Sequence, residues 1–249
     1  MVPDTAASAA NRFGLGARPG ELRRIAAGPA AWLRAQLHGD AGAGAFSGLP
    51  GSLNYLREEM TARQARMRER GPAEASAEPE PAAANPRVRL LRESTRRELA
   101  LRHRHAAATP DGFAERLVRF WSNHFAVSVD KRTAALYAAP MEREAVRPNL
   151  FGRFDALLVA VETHPAMLRY LDNAASIGED SPVGQRARRR ASTSGMPARR
   201  AGLNENLARE ILELHTLGVD GGYGQGDVTE LARAITGWSV PLPRDFARC

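Results

Sequence analysis

Residues 203–238 read LNENLAREILELHTLGVDGGYGQGDVTELARAITGW, and this stretch decides the fold that the sequence predicts. Apolar residues recur at three- and four-residue spacing on both sides of a short glycine-rich segment, which is the pattern of two amphipathic helices joined by a loop. With roughly 100° per residue, the first helix places Leu207, Ile211 and Leu214 on one face. We therefore expect a helix-loop-helix whose glycines serve positive backbone angles and close helix approach.

Capping residues predict the limits of both helices. Asn204 can cap the first helix, and Gly218 suits the left-handed position that ends it. Asp227 is the predicted N-cap of the second helix, because Glu230 three residues later completes a capping box. The loop between them lacks the alternating oxygen ligands of a calcium loop and the lysine of a phosphate loop.

The same stretch holds most of the candidates for chemistry. Asn206, Glu210 and Glu213 line up on one face of the first helix, and His215 lies at the border of the apolar face. Helical bundles build metal and acid/base sites from acids and histidines on facing helices. Further candidates of these types lie upstream, at His124, His164 and Asp172.

Two sets of site residues follow. The catalytic candidates are His215, Glu210, Glu213, His124 and Asp172, and the metal-ligand candidates are His215, Glu213, His124 and His164. A di-iron site is not indicated, because the chain offers Glu-x-His at 162–164 and 213–215 instead of Glu-x-x-His, and residues two apart point to different faces of a helix. The alternative is that these polar residues form a structural network of caps and salt bridges.

His124 allows two interpretations of its own. It continues the apolar stripe of the helix that runs through RLVRFWSNHF, residues 116–125. A core histidine in that position would hydrogen-bond a backbone carbonyl. The alternative is a ligand or proton carrier that faces His215.

The composition is that of an ordinary globular protein, with 249 residues of which 43% are apolar. The net charge of +7 is carried almost wholly by arginine, since Lys131 is the only lysine. The 28 acids are spread throughout the chain and no basic stripe is interleaved with aromatics, which argues against nucleic-acid binding. The only cysteine is Cys249, so neither an internal disulfide nor a thiolate metal cluster can form.

We find no strand pattern and no internal repeat, so we predict an all-α fold, an irregular multi-helix bundle with long loops in one domain over residues 1–249. Disorder is expected in the proline-rich segment 71–86 and the arginine-rich segment 179–202. The longest unbroken apolar run is the six residues 156–161, which excludes a membrane span. The first residues lack a signal-peptide pattern, which makes the cytoplasm the default expectation.

Four motifs occur in order along nearly the whole chain. They are NRFGLGARPGEL at 11–22, RLVRFWSNHFAVS at 116–128, HPAMLRYLDNAASIG at 164–178, and LNENLAREILELHTLGVDGGY followed by DVTELARAITGW. By these motifs the chain resembles the bacterial family catalogued as domain of unknown function 1800. The stretches 39–86 and 186–201 have no counterpart in the resemblance.

The resemblance implies a largely helical protein whose family lacks an established activity. Family members often lie in the genome beside secreted, sulfatase-like proteins, which implies such a protein as a partner, and some members carry export signals, which leaves export open. Members usually continue well beyond the TGW motif, so the resemblance implies that this chain is an amino-terminal part. Gly224 and Gly226 stand where members more commonly show Thr or Ser and Ala.

Two functions remain open at this point. The resemblance favours a helical binding or adaptor module that works with a partner protein. The alternative is a metal-dependent or acid/base enzyme, a hydrolase or an oxidoreductase, that uses the acid and histidine face of helix 204–217; no cofactor is indicated. An enzyme would have Glu210, Glu213 and His215 converge on His124 or Asp172, whereas a binding module would use their hydrogen bonds for caps and salt bridges.

Overall fold

The computed structural model describes residues 4–37, 41–69, 86–178, 180–186, 189 and 202–240. Within these ranges every regular element is a helix and no strand occurs, which confirms the all-α class. None of the helices described there is both long and apolar enough to cross a membrane. The segments 71–86 and 179–202, for which disorder was predicted, lie mostly outside the described residues.

The α-helices are short in the amino-terminal part and longer in the middle of the chain. They are α1 Asp4–Phe13, α2 Glu21–Ala26, α3 Pro29–Ala35, α4 Ser52–Glu69, α5 Pro86–Ala108, α6 Gly112–His124, α7 Ala135–Met141, α8 Phe154–Glu162, α9 Pro165–Tyr170, α10 Asn206–Glu210 and α11 Gln225–Ile235. In the described ranges, 3₁₀ turns occur at Ala43–Phe46, Arg147–Asn149 and Asn173–Ala175.

Two of these helices continue into a π-helix, in which hydrogen bonds connect residues i and i+5. Glu142–Val146 follows α7 directly, and Ile211–Thr216 follows α10 directly. The wider turn inserts one residue relative to an α-helix, so the side chains that follow change their direction. Nothing in the 3.6-residue pattern of the sequence predicts either segment.

The chain divides into two compact units. Unit 1 comprises Met1–Asn123 and Ala139–Leu157, and unit 2 comprises His124–Ala138 and Leu158–Cys249. The single domain over residues 1–249 stays a prediction.

A small alanine-rich core lies at the start of unit 1. Ala6, Ala9 and Ala10 on α1 are buried with Ile25 of α2, and Trp32 of α3 packs against them. Alanine has no side-chain entropy to lose and lets the helices approach closely. Three short helices can therefore bury a common face without long side chains.

The charged centre of unit 1 is Arg147, whose guanidinium is fully buried. It donates two hydrogen bonds to the carboxylate of Glu115, at 2.9 and 3.1 Å, and a third to Glu142 at 2.7 Å. Its face lies 4.4 Å from the ring centroid of Phe46. Burial acts to lower the pKa of Arg147, but the hydrogen bonds that it donates to Glu115 and the charges of both carboxylates outweigh burial and raise that pKa above its ordinary value.

Candidate functional site

The first helix of the 203–238 stretch lies in unit 2 and begins close to the predicted residue. The Asn204 side chain accepts a hydrogen bond from the N–H of Asn206 at 2.9 Å, and α10 starts there. The helix is α-helical only to Glu210. From Ile211 the π-segment takes over and decides which side chains point inward.

The π-segment is held by its own hydrogen bonds. The N–H of Leu217 bonds the carbonyl of Leu212 at 3.0 Å, five residues back. The hydroxyl of Thr216 donates to the carbonyl of Ile211 at 2.6 Å. In an α-helix the carbonyl oxygens of Ile211 and Leu212 would accept from other N–H groups. In the π-segment each of them still has a hydrogen-bond donor.

The inserted residue exchanges the places of two neighbouring side chains. His215 is only 6% exposed, whereas Leu214 is 59% exposed. The 3.6-residue period predicts the opposite, with Leu214 on the apolar face and His215 at its border. The inward orientation predicted for Leu214 is therefore wrong, because the helix is not an α-helix at that point.

The inward imidazole of His215 meets a buried carboxylate. Nδ1 of His215 lies 2.7 Å from Oε1 of Glu162, the last residue of α8, which is 1% exposed. The short distance is that of an ion pair, but the ring N–H is not aligned with the oxygen as in a good hydrogen bond, and both carboxylate oxygens lack another partner among the described residues. His215 is thus the polar neighbour of the buried carboxyl group of Glu162.

Two aromatic rings complete the surroundings of His215. His124 Nε2 donates to the carbonyl oxygen of His215 at 3.2 Å, and the two imidazole centroids are 5.9 Å apart. The buried ring of Phe125 meets His215 edge-on, with centroids 5.1 Å apart. His124 therefore combines the features of both interpretations, because it bonds a backbone carbonyl and also faces His215.

The remaining candidates have other contacts. Glu213 pairs with Arg209 at 3.3 Å, and Asp172 pairs with Lys131 at 2.7 Å. Nδ1 of His164 accepts a hydrogen bond from the N–H of Ala166 at 3.2 Å and so caps α9. Glu210 is the last residue of α10, and its side chain has no hydrogen bond or ion pair to a described residue. Across the described part of the chain, no three His, Cys, Asp or Glu residues form a group that could hold a metal ion.

The glycine-rich loop after the π-segment has the backbone that its composition predicts. Gly218 and Gly222 both have a φ of 87°, and Asp220 has a φ of 62°. A Cβ atom on Gly221 would lie 2.6 Å from Cβ of Leu217, closer than real contacts allow. The predicted positive φ is confirmed at Gly218 and Gly222, whereas the crowding at Gly221 is against the turn just before it, and close approach of the two helices stays a prediction.

The second helix, α11, starts two residues before the predicted N-cap. Gly224 is the N-cap, and Asp227 lies three residues later, where its carboxylate accepts the N–H of Gly224 at 2.8 Å. Asp227 as N-cap is therefore wrong, since its side chain caps the helix from inside the first turn. The predicted apolar stripe is confirmed by the burial of Val228, Ala232 and Ile235.

Polar contacts connect the two helices at their amino-terminal ends. The carboxylate of Glu205 accepts hydrogen bonds at 2.8 Å from the hydroxyl of Thr229 and from the side-chain amide of Gln225. These two hydrogen bonds hold the pKa of Glu205 below its ordinary value. The far end of α11 is also tied, because the side-chain amide of Asn173 donates to the carbonyls of Ile235 and Trp238 at 3.0 and 2.9 Å.

Three large apolar side chains remain exposed on this tied helix-loop-helix. Leu214 is 59%, Leu217 57% and Val219 70% exposed, all within six residues. Single exposed apolar residues are common on soluble proteins, but closely spaced ones mark interaction sites. We call these three residues the apolar patch.

Sequence reasoning missed Glu162 and Asn173 as site residues. Both belong to motifs or runs that the sequence analysis singled out, but their partners are distant along the chain. Glu162 carried one usable signal: it ends the most apolar helix at the carboxyl terminus, where the helix dipole disfavours an acid. An acid retained there needs a compensating partner.

Comparison with known proteins adds a family and nothing finer. A family model described as "Protein of unknown function (DUF1800)" matches residues 8–247. No curated protein and no solved structure matches the chain.

Proposed function

The chain belongs to this DUF1800 family, and from that premise we propose that it is a helical binding module which docks a partner protein through the apolar patch. The observation that carries the proposal is the exposure of Leu214, Leu217 and Val219 on one short segment. Removing apolar surface from water contributes about 25 cal/mol per Å². Three such side chains can form the apolar centre of a docking surface.

The scaffold around the patch supports this role. Gly221 packs against Leu217, and Glu205 connects the start of α10 to Gln225 and Thr229 of α11. Because the two helices are tied to each other, the patch between them should lose little conformational entropy when a partner binds. A preorganised surface binds more tightly for the same contact area.

The contacts of three acidic side chains also favour a binding function over a catalytic one. Glu213 pairs with Arg209, Asp172 pairs with Lys131, and Asp227 caps α11. These carboxylates stabilise local structure instead of converging on His215. This is the arrangement expected of a binding module.

The partner that we propose is a secreted, sulfatase-like protein encoded nearby, as the family resemblance implies. The patch offers such a partner an apolar contact surface. Of the acidic residues that adjoin the patch in the sequence, Glu213 is already paired with Arg209 at 3.3 Å. Apolar contact rather than charge should therefore dominate the affinity.

The test is a titration calorimetry measurement between the purified chain and that sulfatase-like protein. Leu217→Ser is expected to weaken binding about tenfold or more, which is the loss typical of a central interface residue. Val129→Ser is the matched control, because Val129 lies in the same unit, outside the patch, and is also 57% exposed. Unchanged affinity for Leu217→Ser, or an equal loss for Val129→Ser, would overturn the proposal.

A second candidate, a metal-dependent or acid/base enzyme, is favoured by the contact between Glu162 and His215. A carboxylate beside one ring nitrogen fixes the tautomer of a histidine and prepares the other nitrogen to bind a metal or a proton. In this reading His215 is the ligand or base, Glu162 orients it, and His124 is the nearest second imidazole.

Metal content decides the metal-dependent form of this candidate. Mass spectrometry of gently purified protein should show stoichiometric metal in the wild type and its loss in His215→Ala. Absence of metal from both proteins, together with no heat of binding for added Zn²⁺, would overturn it. Recovery of metal would direct hydrolase and oxidoreductase screens to this site.

A further inference from the structure

Two side chains compete for one inward place at the end of the first helix. A continuous α-helix would turn Leu214 inward beside the buried Leu207, as the 3.6-residue period predicts. The π-segment instead turns His215 inward and Leu214 outward. The register of one turn therefore decides whether Leu214 belongs to the core or to the apolar patch.

We propose that the contact between Glu162 and His215 is a latch that holds residues 211–216 in the π register and thereby presents Leu214 on the surface. The biological role of the latch rests on the proposed function, because the latch controls the surface to which we assign partner binding. Its physical basis is independent of any partner. It concerns only which side chain occupies the inward place.

The lack of hydrogen-bond donors around the Glu162 carboxylate favours the π register. Its carboxylate is buried, and within the described part of the chain both oxygens lack a hydrogen-bond donor. His215 Nδ1, 2.7 Å away, is the polar group that faces this carboxyl group. In an α register the imidazole would return to the border of the helix, and a leucine would face the carboxylate instead.

The backbone around His215 is adapted to the same register. The carbonyl of His215 accepts a hydrogen bond from His124, and the Thr216 hydroxyl bonds the carbonyl of Ile211. Gly218, with its positive φ, brings its N–H to the carbonyl of Leu212 at 3.1 Å. These contacts stabilise the π-segment once His215 points inward, but none of them discriminates against Leu214 at the inward place. That discrimination comes from the carboxylate.

The latch makes a specific prediction for variants of Glu162. Replacing the carboxylate by an apolar group removes the reason for an inward imidazole and makes the place suitable for Leu214. The segment should then return to the α register, which buries Leu214 and reduces the apolar patch to Leu217 and Val219. Glu162→Leu makes this change fully, and Glu162→Gln removes the charge while it keeps the size.

The experiment measures the accessibility of Leu214 by methyl NMR with a soluble gadolinium chelate. The Leu214 methyl signals, assigned with Leu214→Val, should broaden strongly in the wild type, with the exposed Val129 methyls as internal reference. In Glu162→Leu the broadening at Leu214 relative to Val129 should fall severalfold, and in Glu162→Gln it should fall by a smaller factor. Glu213→Gln is the matched control, because Glu213 lies on the same π-segment but pairs outward with Arg209, and it should leave the ratio unchanged.

If folded Glu162→Leu shows the same broadening of Leu214 relative to Val129 as the wild type, the latch is overturned. If Glu162→Leu does not fold, Glu162→Gln decides: a reduced ratio supports the latch, and a wild-type ratio overturns it. The measurement needs no partner, so the two proposals fail separately. If Glu162→Leu reduces the accessibility of Leu214 but Leu217→Ser binds the partner like the wild type, the latch is supported and the docking surface is overturned. If Leu214 stays accessible in Glu162→Leu but Leu217→Ser weakens binding, the docking surface is supported and the latch is overturned.

Discussion

Nδ1 of His215 lies 2.7 Å from Oε1 of Glu162, and both side chains are buried within unit 2. The contact joins the end of an apolar helix to a π-segment that begins far along the chain. Two buried ionisable groups contribute little net stability as a pair, but removing one of them leaves the other uncompensated. The pair is therefore more important for which structure forms than for how stable that structure is.

The first prediction concerns this pair. His215→Ala should lower the free energy of unfolding by about 1–3 kcal/mol, because the carboxyl group of Glu162 is left buried without its polar neighbour. Urea unfolding followed by circular dichroism measures the change. The double variant Glu162→Gln with His215→Ala should be more stable than the sum of the single losses predicts. Additive losses would show that the two side chains do not interact.

The second prediction uses two glycines of the helix-loop-helix. Gly226 lies in the first turn of α11, and a Cβ there would meet nothing within 4 Å. Gly226→Ala should therefore raise the free energy of unfolding by about 0.5–1 kcal/mol. Gly222→Ala is the control and should lower it by about 1–2 kcal/mol, because Gly222 has a φ of 87° and alanine is strained there. Equal effects of the two substitutions in thermal unfolding would contradict this account.

The third prediction concerns the buried arginine of unit 1. Arg147→Met should lower the free energy of unfolding by about 3–5 kcal/mol, since it leaves the carboxylates of Glu115 and Glu142 without their shared cation. Arg153→Met removes an ion pair with Asp155 that is exposed to solvent, and it should have no measurable effect. Denaturant unfolding of the two variants measures the contrast. A loss for Arg153→Met as large as that for Arg147→Met would refute it.

The fourth prediction rests on two glutamates of unit 1 whose pKa values shift in opposite directions. At Glu21, burial acts to raise the pKa, but hydrogen bonds from Arg18 and Arg24 outweigh it and the pKa falls below the ordinary 4.5. At Glu98, burial dominates over the hydrogen bond from Arg143 and raises the pKa above 4.5. The fold thus favours the ionised form of Glu21 and the protonated form of Glu98.

The two shifts have opposite consequences for stability. The contribution of Glu21 is present above pH 4.5 and is lost as the pH falls through its lowered folded-state pKa. The contribution of Glu98 is present below pH 4.5 and is lost as the pH rises through its raised folded-state pKa. Glu21→Gln should therefore cost more stability at about pH 7 than at about pH 3, and Glu98→Gln should cost less. Urea unfolding across this range measures both, and parallel pH profiles would contradict the assignment.

Much of the helix-loop-helix could be predicted from local pattern. The stripe of Val228, Ala232 and Ile235 follows from apolar spacing, and the roles of Gly218 and Gly222 follow from the need for positive φ. The observed N-cap of α11 is Gly224 and not the predicted Asp227. Both Asp and Gly are acceptable N-caps, and the sequence alone does not say which one the chain uses. Local rules predict which elements form better than they predict where each one begins.

The candidate site was predictable only in part. His215 and His124 were identified from residue type and periodicity, and the structure brings their rings within 5.9 Å. Glu162 was passed over because its spacing to His164 fits no metal motif, whereas its partner is His215 on another helix. Spacing rules detect partners on one helix, and this pair lies on two.

The sequence by itself determined the all-α class, the two helices of residues 203–238, the glycine-rich turn and the family. These features follow from periodicity and backbone preference, which act over a few residues at a time. Only the tertiary structure decided that residues 211–216 form a π-segment, with His215 inward and Leu214 outward. The physical reason that we propose is the contact with Glu162, a buried residue from a distant part of the chain that periodicity within one helix does not take into account.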